Sequence, residues 1–177
     1  MSQSSRPAGA ANGLVDVYVA AGSNVDASRN LQLALSLLRN VYTPVRISPA
    51  YSNKAVGFSG DDFINLVVEF STRDAVAEVR RQLQLIEAKC GRPLNAQKWA
   101  PRTMDLDILI YGEVISNEPG LILPRPDLVR RPYMLRPMAD IAPEALHPTL
   151  HRSMRELWEA FDSNGHEMLE VALPLAG

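Results

Sequence analysis

The sequence predicts an α+β domain, a sheet with helices packed on it. Stretches of strict alternation, such as "LVDVYVAAGSN" (14–24), read as half-buried strands. Stretches with apolar residues at every third or fourth position, such as 73–90, read as amphipathic helices. The two kinds mix without a regular strand–helix–strand rhythm, which favours a mixed or antiparallel sheet over a parallel one. A length of 177 residues suits one domain with a sizeable core.

Along the chain, "MSQSSRPAGAANG" (1–13) has no apolar core of the kind a secretory signal requires and is expected to be a disordered tail, with a single domain over 14–177. In the first strand Val15, Val17 and Val19 share a face. Gly22-Ser23-Asn24 is expected to turn, and Asp26 or Ser28 to cap a helix that carries Leu31, Ala34, Leu35 and Leu38 and ends near Asn40. "TPVRISPAYSN" (43–53) reads as a second strand, 54–62 as a mobile loop with two glycines, and "FINLVVEFST" (63–72) as a third strand. That strand sets Ile64, Leu66, Val68 and Phe70 on one face and Phe63, Asn65 and Val67 on the other, which leaves an amide between two apolar residues. In the helix over 73–90, Val76, Val79, Leu83, Ile86 and Cys90 form the apolar seam, Arg80, Gln84 and Glu87 a polar stripe, and Gly91 a stop. A loop (91–101), a strand (103–112), a Pro-rich segment (119–148), a helix (151–161) and an edge strand (166–175) complete the order.

Composition narrows the function classes. A net charge of −2 argues against a general nucleic-acid binder. No apolar run is long enough to span a membrane. The single cysteine, Cys90, permits neither an internal disulfide nor a cysteine-based zinc site, so the expectation is a cytoplasmic protein. His147, His151 and His166 lack metal-ligand spacing and read as structural or surface residues.

The chemistry concentrates in "WAPRTMDLDILIYG" (99–112). On a strand, residues two apart point the same way, ~6.5–7 Å from one another. Asp105 and Asp107 therefore present two carboxylates on one face, with Leu106, Ile108 and Ile110 turned to the core. Like charges this close require a positive partner. Arg102 or Lys98 could supply it as a salt bridge. A hard cation is the other solution, since magnesium takes one or two carboxylates together with water and phosphate oxygens. Arg102 can fork onto a phosphate, and Trp99 offers either a flat face for a heterocycle or a loop anchor.

This stretch closely resembles the signature of the 6-hydroxymethyl-7,8-dihydropterin pyrophosphokinase family of folate biosynthesis, with W-x-P-R-T-x-D-L-D intact. "VYVAAGSN", "DDFINLVV" and "LPRPDLVRRPYMLRPMADIAPE" resemble the family's first strand, pterin-reading strand and C-terminal Pro/Arg segment, so the likeness spans roughly 14–165. It implies a ferredoxin-like α+β fold with helices on both sides of the sheet, and transfer of pyrophosphate from ATP to the pterin hydroxymethyl group with release of AMP. It further implies two magnesium ions on Asp105 and Asp107, and phosphate contacts from Arg92, Arg102 and Arg131. Gln84, Glu87, Trp99, Ile108 and Arg125 would contact the nucleotide. Val56, Gly57, Phe63, Asn65, Trp99 and Tyr133 would contact the pterin, Asn65 reading its amide-like edge while Phe63 and Tyr133 flank the ring. The implied partners are these small molecules alone, with no nucleic acid or membrane, and the implied state is a monomer.

The chain departs from the family pattern at Pro124-Arg125, where Pro-His is usual, at Leu94 and Gly120, where basic residues are usual, and at Asn53-Lys54, where Thr-Pro is usual. Two other readings therefore stand beside the enzyme: a non-catalytic pterin- and nucleotide-binding paralogue, and a different metal-dependent phosphotransferase or phosphohydrolase using the same aspartates.

Overall fold

The computed structural model describes residues 13–54, 62–91 and 103–173. The expected tail, apart from Gly13, and most of the expected loops over 54–62 and 91–101 lie outside them. The elements run β1 (Val15–Ser23), α1 (Ala27–Val41), β2 (Arg46–Ile47), β3 (Ala50–Asn53), β4 (Phe63–Thr72), α2 (Val76–Lys89), β5 (Asp105–Tyr111), β6 (Ser116–Glu118), β7 (Leu121–Leu123), a 3-10 turn (Pro126–Val129), α3 (Pro132–Ile141), α4 (Met154–Glu159) and β8 (Leu169–Val171). The main sheet has the order β5–β1–β4–β3–β8, with β2 also on β4, and its pairings are antiparallel. A separate hairpin joins β6 to β7.

Helices cover both faces, as the α+β reading anticipates. Val17, Val19, Leu66, Val68 and Phe70 point to one side, where Leu31, Leu35 and Leu38 of α1 and Val79, Leu83 and Ile86 of α2 meet them. Tyr18, Ala20 and Val67 point to the other, against Met134, Leu135 and Met138 of α3 and Met154 of α4. The apolar seams read from α1 and α2 are the buried faces of those helices.

The departures from expectation have local causes. The strand β1 runs through Ser23, so the turn begins later, at Asn24. Asp26 occupies the cap position of α1 in a left-handed conformation (φ 40) and makes no side-chain cap bond; Asn30 Nδ2 instead donates to the Val25 carbonyl at 2.6 Å. The expected strand over 43–53 is broken at Ser48-Pro49, because proline has no N–H for the ladder. Ser48 bridges the break: its N–H donates to Val67 O at 2.9 Å and its hydroxyl accepts from Val67 N at 2.8 Å. In β5 the pairing with β1 shifts between Val19↔Ile108 and Tyr18↔Ile110. This bulge turns both Leu109 and Ile110 toward α3, so Ile110 leaves the face expected for it, while Leu106 and Ile108 stay with α2.

The Pro-rich segment holds a hairpin and a helix that its composition conceals. Pro132 sits at the start of α3, where its missing N–H is not needed, but Pro137 lies inside the helix. Seven buried residues hold α3 in place despite that lost bond. The last helix, α4, is shorter than expected and starts at a true cap, where Ser153 Oγ accepts from Glu156 N at 3.1 Å. The expected edge strand is confined to β8.

His147 is buried, and its Nδ1 accepts from the backbone N–H groups of Leu150 at 3.1 Å and Thr149 at 3.3 Å. Burial, with a smaller contribution from His151, lowers its pKa below the ordinary value of 6.5. The unfolded chain therefore takes up this proton more readily than the folded one. The neutral ring's contribution to stability is complete above about pH 6.5 and is lost as pH falls through the lowered folded value. Denaturant unfolding at pH 7.5 and 5.5 should show a smaller loss for His147→Asn, whose amide oxygen can accept from the same backbone groups, than for the wild type.

Candidate active site

Three antiparallel strands carry the chemistry in one row. Gly22 pairs with Asp105 on one side and with Asn65 on the other, and Asn65 continues the row to Tyr51. Two residues along, the next row on the same face holds Asp107, Ala20 and Val67. Val67 and Ala20 belong to the α3 side of the sheet, so alternation places Asn65 on that side as well, with Asp105 and Asp107. Strand spacing separates the Asp105 and Asn65 backbones by about 10 Å, with the side-chain-free Gly22 between them. A Cβ on Gly22 would collide with Asn65 Oδ1. Sequence reasoning gave Gly22 to a turn and missed this role; its signal was a glycine inside an alternating strand.

Asp105 and Asp107 are half-buried. Arg125 Nη1 lies 3.5 Å from Asp107 Oδ1, with the two side chains 37% and 33% exposed. At that distance and exposure the pair contributes about 0–1 kcal/mol. Arg125 Nε is buried and has no hydrogen-bond partner among the described residues, an unmet donor beside the carboxylates. The Arg125 backbone N–H donates to Leu109 O at 2.9 Å, which ties the chain after the β6–β7 hairpin to β5.

The other tie on β5 is Glu87, whose Oε2 accepts from the Leu106 N–H, between the two aspartates, at 3.0 Å. Sequence reasoning weighed Glu87 as a solvated helix charge or a nucleotide contact; in the structure it fastens α2 to the β5 backbone. Gln84 and Ile108 line the same open cleft of about 230 Å³, with Asp107 and Arg125 at its wall and Leu83, Leu121 and Leu123 as apolar lining. Tyr133 is half-buried at the start of α3. Its pKa is raised first by burial, and it lies within electrostatic range of Arg131, Asp127, Asp107 and Arg125. Arg131 is exposed and pairs loosely with Asp127 at 3.9 Å. Asn65 Nδ2 donates to Asn53 Oδ1 at 2.5 Å, leaving its own carbonyl oxygen and a second N–H. Phe63, partly exposed, pairs with Asn53 at the same end of β4. The structure thus brings together Asp105, Asp107, Arg125, Tyr133, Gln84, Glu87 and Ile108 around β5, and Asn65 with Phe63 at the end of β4. Val56, Gly57, Arg92, Trp99 and Arg102 lie outside the described residues.

No group of three or more His, Cys, Asp or Glu side chains could hold a metal among the described residues. The donor set is two hard carboxylates, too few for a closed protein cage and suited to magnesium that keeps water and phosphate oxygens as its other ligands.

Residues 18–143 match the family model described as 7,8-dihydro-6-hydroxymethylpterin-pyrophosphokinase (HPPK). The chain belongs to this family. It is 36% identical over 160 residues to the 2-amino-4-hydroxy-6-hydroxymethyldihydropteridine pyrophosphokinase of Pseudomonas aeruginosa, covering 88% of this chain and 98% of that one. It is 33% identical over 132 residues to the protein of the same name from a Synechocystis strain, covering 75% of this chain and 67% of that one. Among solved structures it resembles Plasmodium falciparum HPPK-DHPS, wild type with pterin and p-hydroxybenzoate, with a TM-score of 0.66 at 14% identity, over 82% of this chain and 43% of that one. This HPPK chain spans less than half the length of that structure, and the likeness is one of fold. Among the described residues, no helix is long and apolar enough to cross a membrane.

The Glu87 tie is open to a direct test. Glu87→Ala should leave the fold intact and speed hydrogen exchange at the Leu106 amide by about tenfold, the loss of one partly exposed charge-assisted bond. Unchanged protection of that amide, read by NMR, would show that Glu87 does not hold the strand.

Proposed function

We propose that this chain carries out the reaction its family is named for: transfer of the β,γ-pyrophosphoryl group of ATP to the hydroxymethyl oxygen of 6-hydroxymethyl-7,8-dihydropterin. The hydroxyl gives up its proton to water as its oxygen bonds to the β-phosphorus. The bond from that phosphorus to the α–β bridging oxygen breaks, and AMP leaves with the oxygen. The observation that carries the reading is the row Asp105–Gly22–Asn65, which sets a carboxylate suited to the phosphate side and an amide suited to the pterin side on one face of the sheet, with the side-chain-free Gly22 between their strands. The names of the relatives support the same substrate. We place the protein as a cytoplasmic monomer of one domain over 14–177, acting on small molecules in folate biosynthesis.

Two magnesium ions held by Asp105 and Asp107 would neutralise phosphate charge that the protein's own cations do not. Arg125, which lines the cleft, would hold phosphate oxygens with Arg131; Arg92 and Arg102 join them on the resemblance. Gln84 would bond the nucleotide from α2, with Ile108 and Trp99 against it. Asn65 would read the pterin's amide edge with the carbonyl oxygen and N–H left over from its bond to Asn53, while Phe63 and Tyr133 flank the ring and Val56 and Gly57 close over it. Transfer of this kind depends on positioning and charge stabilisation, so a strong general base is not required.

Asp105→Asn and Asp107→Asn should each lower kcat by about 10²–10³-fold, since each removes a charge at nearly constant volume. The assay supplies ATP, magnesium and the hydroxymethyl dihydropterin and separates AMP from ADP. Pterin-dependent AMP supports the reading; pterin binding without AMP would favour a non-catalytic paralogue; ADP without pterin dependence would favour another phosphotransferase. Gly22→Ala should raise the KM for the pterin by about tenfold or more and leave that for ATP nearly unchanged, because its Cβ displaces Asn65.

A further inference from the structure

Arg80 lies on the α2 stripe with Gln84 and Glu87, yet neither the family pattern nor the site as described gives it a role. It is exposed and makes no ion pair or hydrogen bond with any described residue. Its position is defined by the turn opposite. The β6–β7 hairpin turns at Pro119-Gly120, with Gly120 at φ 80, the conformation that favours glycine at the third position of a type II turn. A Cβ on Gly120 would lie 3.3 Å from Arg80 Nη2 and 3.7 Å from Nη1. The guanidinium therefore rests on the bare backbone of the turn, where the family pattern leads one to expect a basic residue and this chain has none. Arg80 lines the cleft that holds Asp107 and also a second hollow of about 470 Å³, formed with Ala77, Glu118 and Pro119. It stands between the two.

The helix supplies the scale. From Glu87, which is bonded between the aspartates, back to Arg80 is seven residues, or about 10 Å along the axis. Arg80 therefore stands at the end of the cleft away from the Glu87 tie, where a nucleotide lying along the cleft with its phosphates at Asp105 and Asp107 would carry its sugar and base. The lining beside it supplies apolar surface from Leu83 and Leu121. A planar guanidinium can stack on a purine face, which an ammonium does poorly.

We propose that Arg80 is a nucleotide-positioning residue that closes the outer end of the cleft by stacking on the purine base, a cation contributed by α2 across the Gly120 turn. This rests on the nucleotide reading of the site given above. The test is calorimetric titration of the whole chain and of Arg80→Ala and Arg80→Lys with three probes: magnesium-ATP, AMP and magnesium tripolyphosphate. Arg80 is an exposed helix position, and alanine favours the helix there, so both variants should fold.

Arg80→Ala should weaken magnesium-ATP and AMP alike, by about tenfold, and leave tripolyphosphate unchanged. Arg80→Lys should recover little of the loss. Wild-type affinity of Arg80→Ala for AMP would overturn the proposal, and so would an equal loss for tripolyphosphate, which would make Arg80 a phosphate contact. A wild-type chain that binds no magnesium-ATP would overturn the nucleotide reading itself, a result distinct from failure at Arg80 alone.

Discussion

The structure depends on the register of one strand. β1 is paired on both edges and buried on both faces, with Val17, Val19 and Ala21 toward α1 and α2 and Tyr18 and Ala20 toward α3. A slip of one residue against β4 or β5 would turn an entire side-chain set to the wrong layer, so packing on two sides fixes the alignment. That alignment places Gly22 between Asp105 and Asn65. The geometry of the site is thus a by-product of core packing and of the β1 ladders.

The outer edge of β5 would otherwise be an open strand edge, with unpaired backbone groups and a template for association. This protein covers it with polar contacts that also build the cleft. Glu87 from α2 takes the Leu106 N–H, and the chain leaving the hairpin donates the Arg125 N–H to Leu109. Between these ties the cleft opens onto Asp107. The same bonds stop edge pairing and space the walls of the cavity, so the edge's structural problem and its binding function have one solution.

The sequence made the periodic elements legible and hid those that depend on contacts distant in the chain. β1, β4, α1 and α2 declare themselves because alternation or helical spacing directly records which side is buried. Pro137 masks α3, since the packing of Met134, Leu135 and Met138 that offsets its lost bond lies against residues far earlier in the chain. The Leu109–Ile110 bulge and the Ser48 bridge leave no local pattern either. At the site, the motif placed Asp105 and Asp107 at once. Gly22 and Arg80 were read only as a turn residue and a polar-stripe residue, because the neighbour that sets each apart lies across the fold: Asn65 forty-three positions away for the one, and the Gly120 turn for the other.

Arg125 stands where the family pattern has a histidine, and its surroundings explain how a permanent cation is accommodated there. A neutral imidazole would bring no charge to the two aspartates, whereas Arg125 lies against Asp107. A tight, buried pair would hold that carboxylate against exchange, because breaking it would leave a desolvated charge. This pair is 3.5 Å long and about one-third exposed, so little free energy is lost when it opens. The guanidinium also has an Nε with no hydrogen-bond partner among the described residues. The arrangement lets one side chain offset the repulsion of adjacent carboxylates without locking either of them in place.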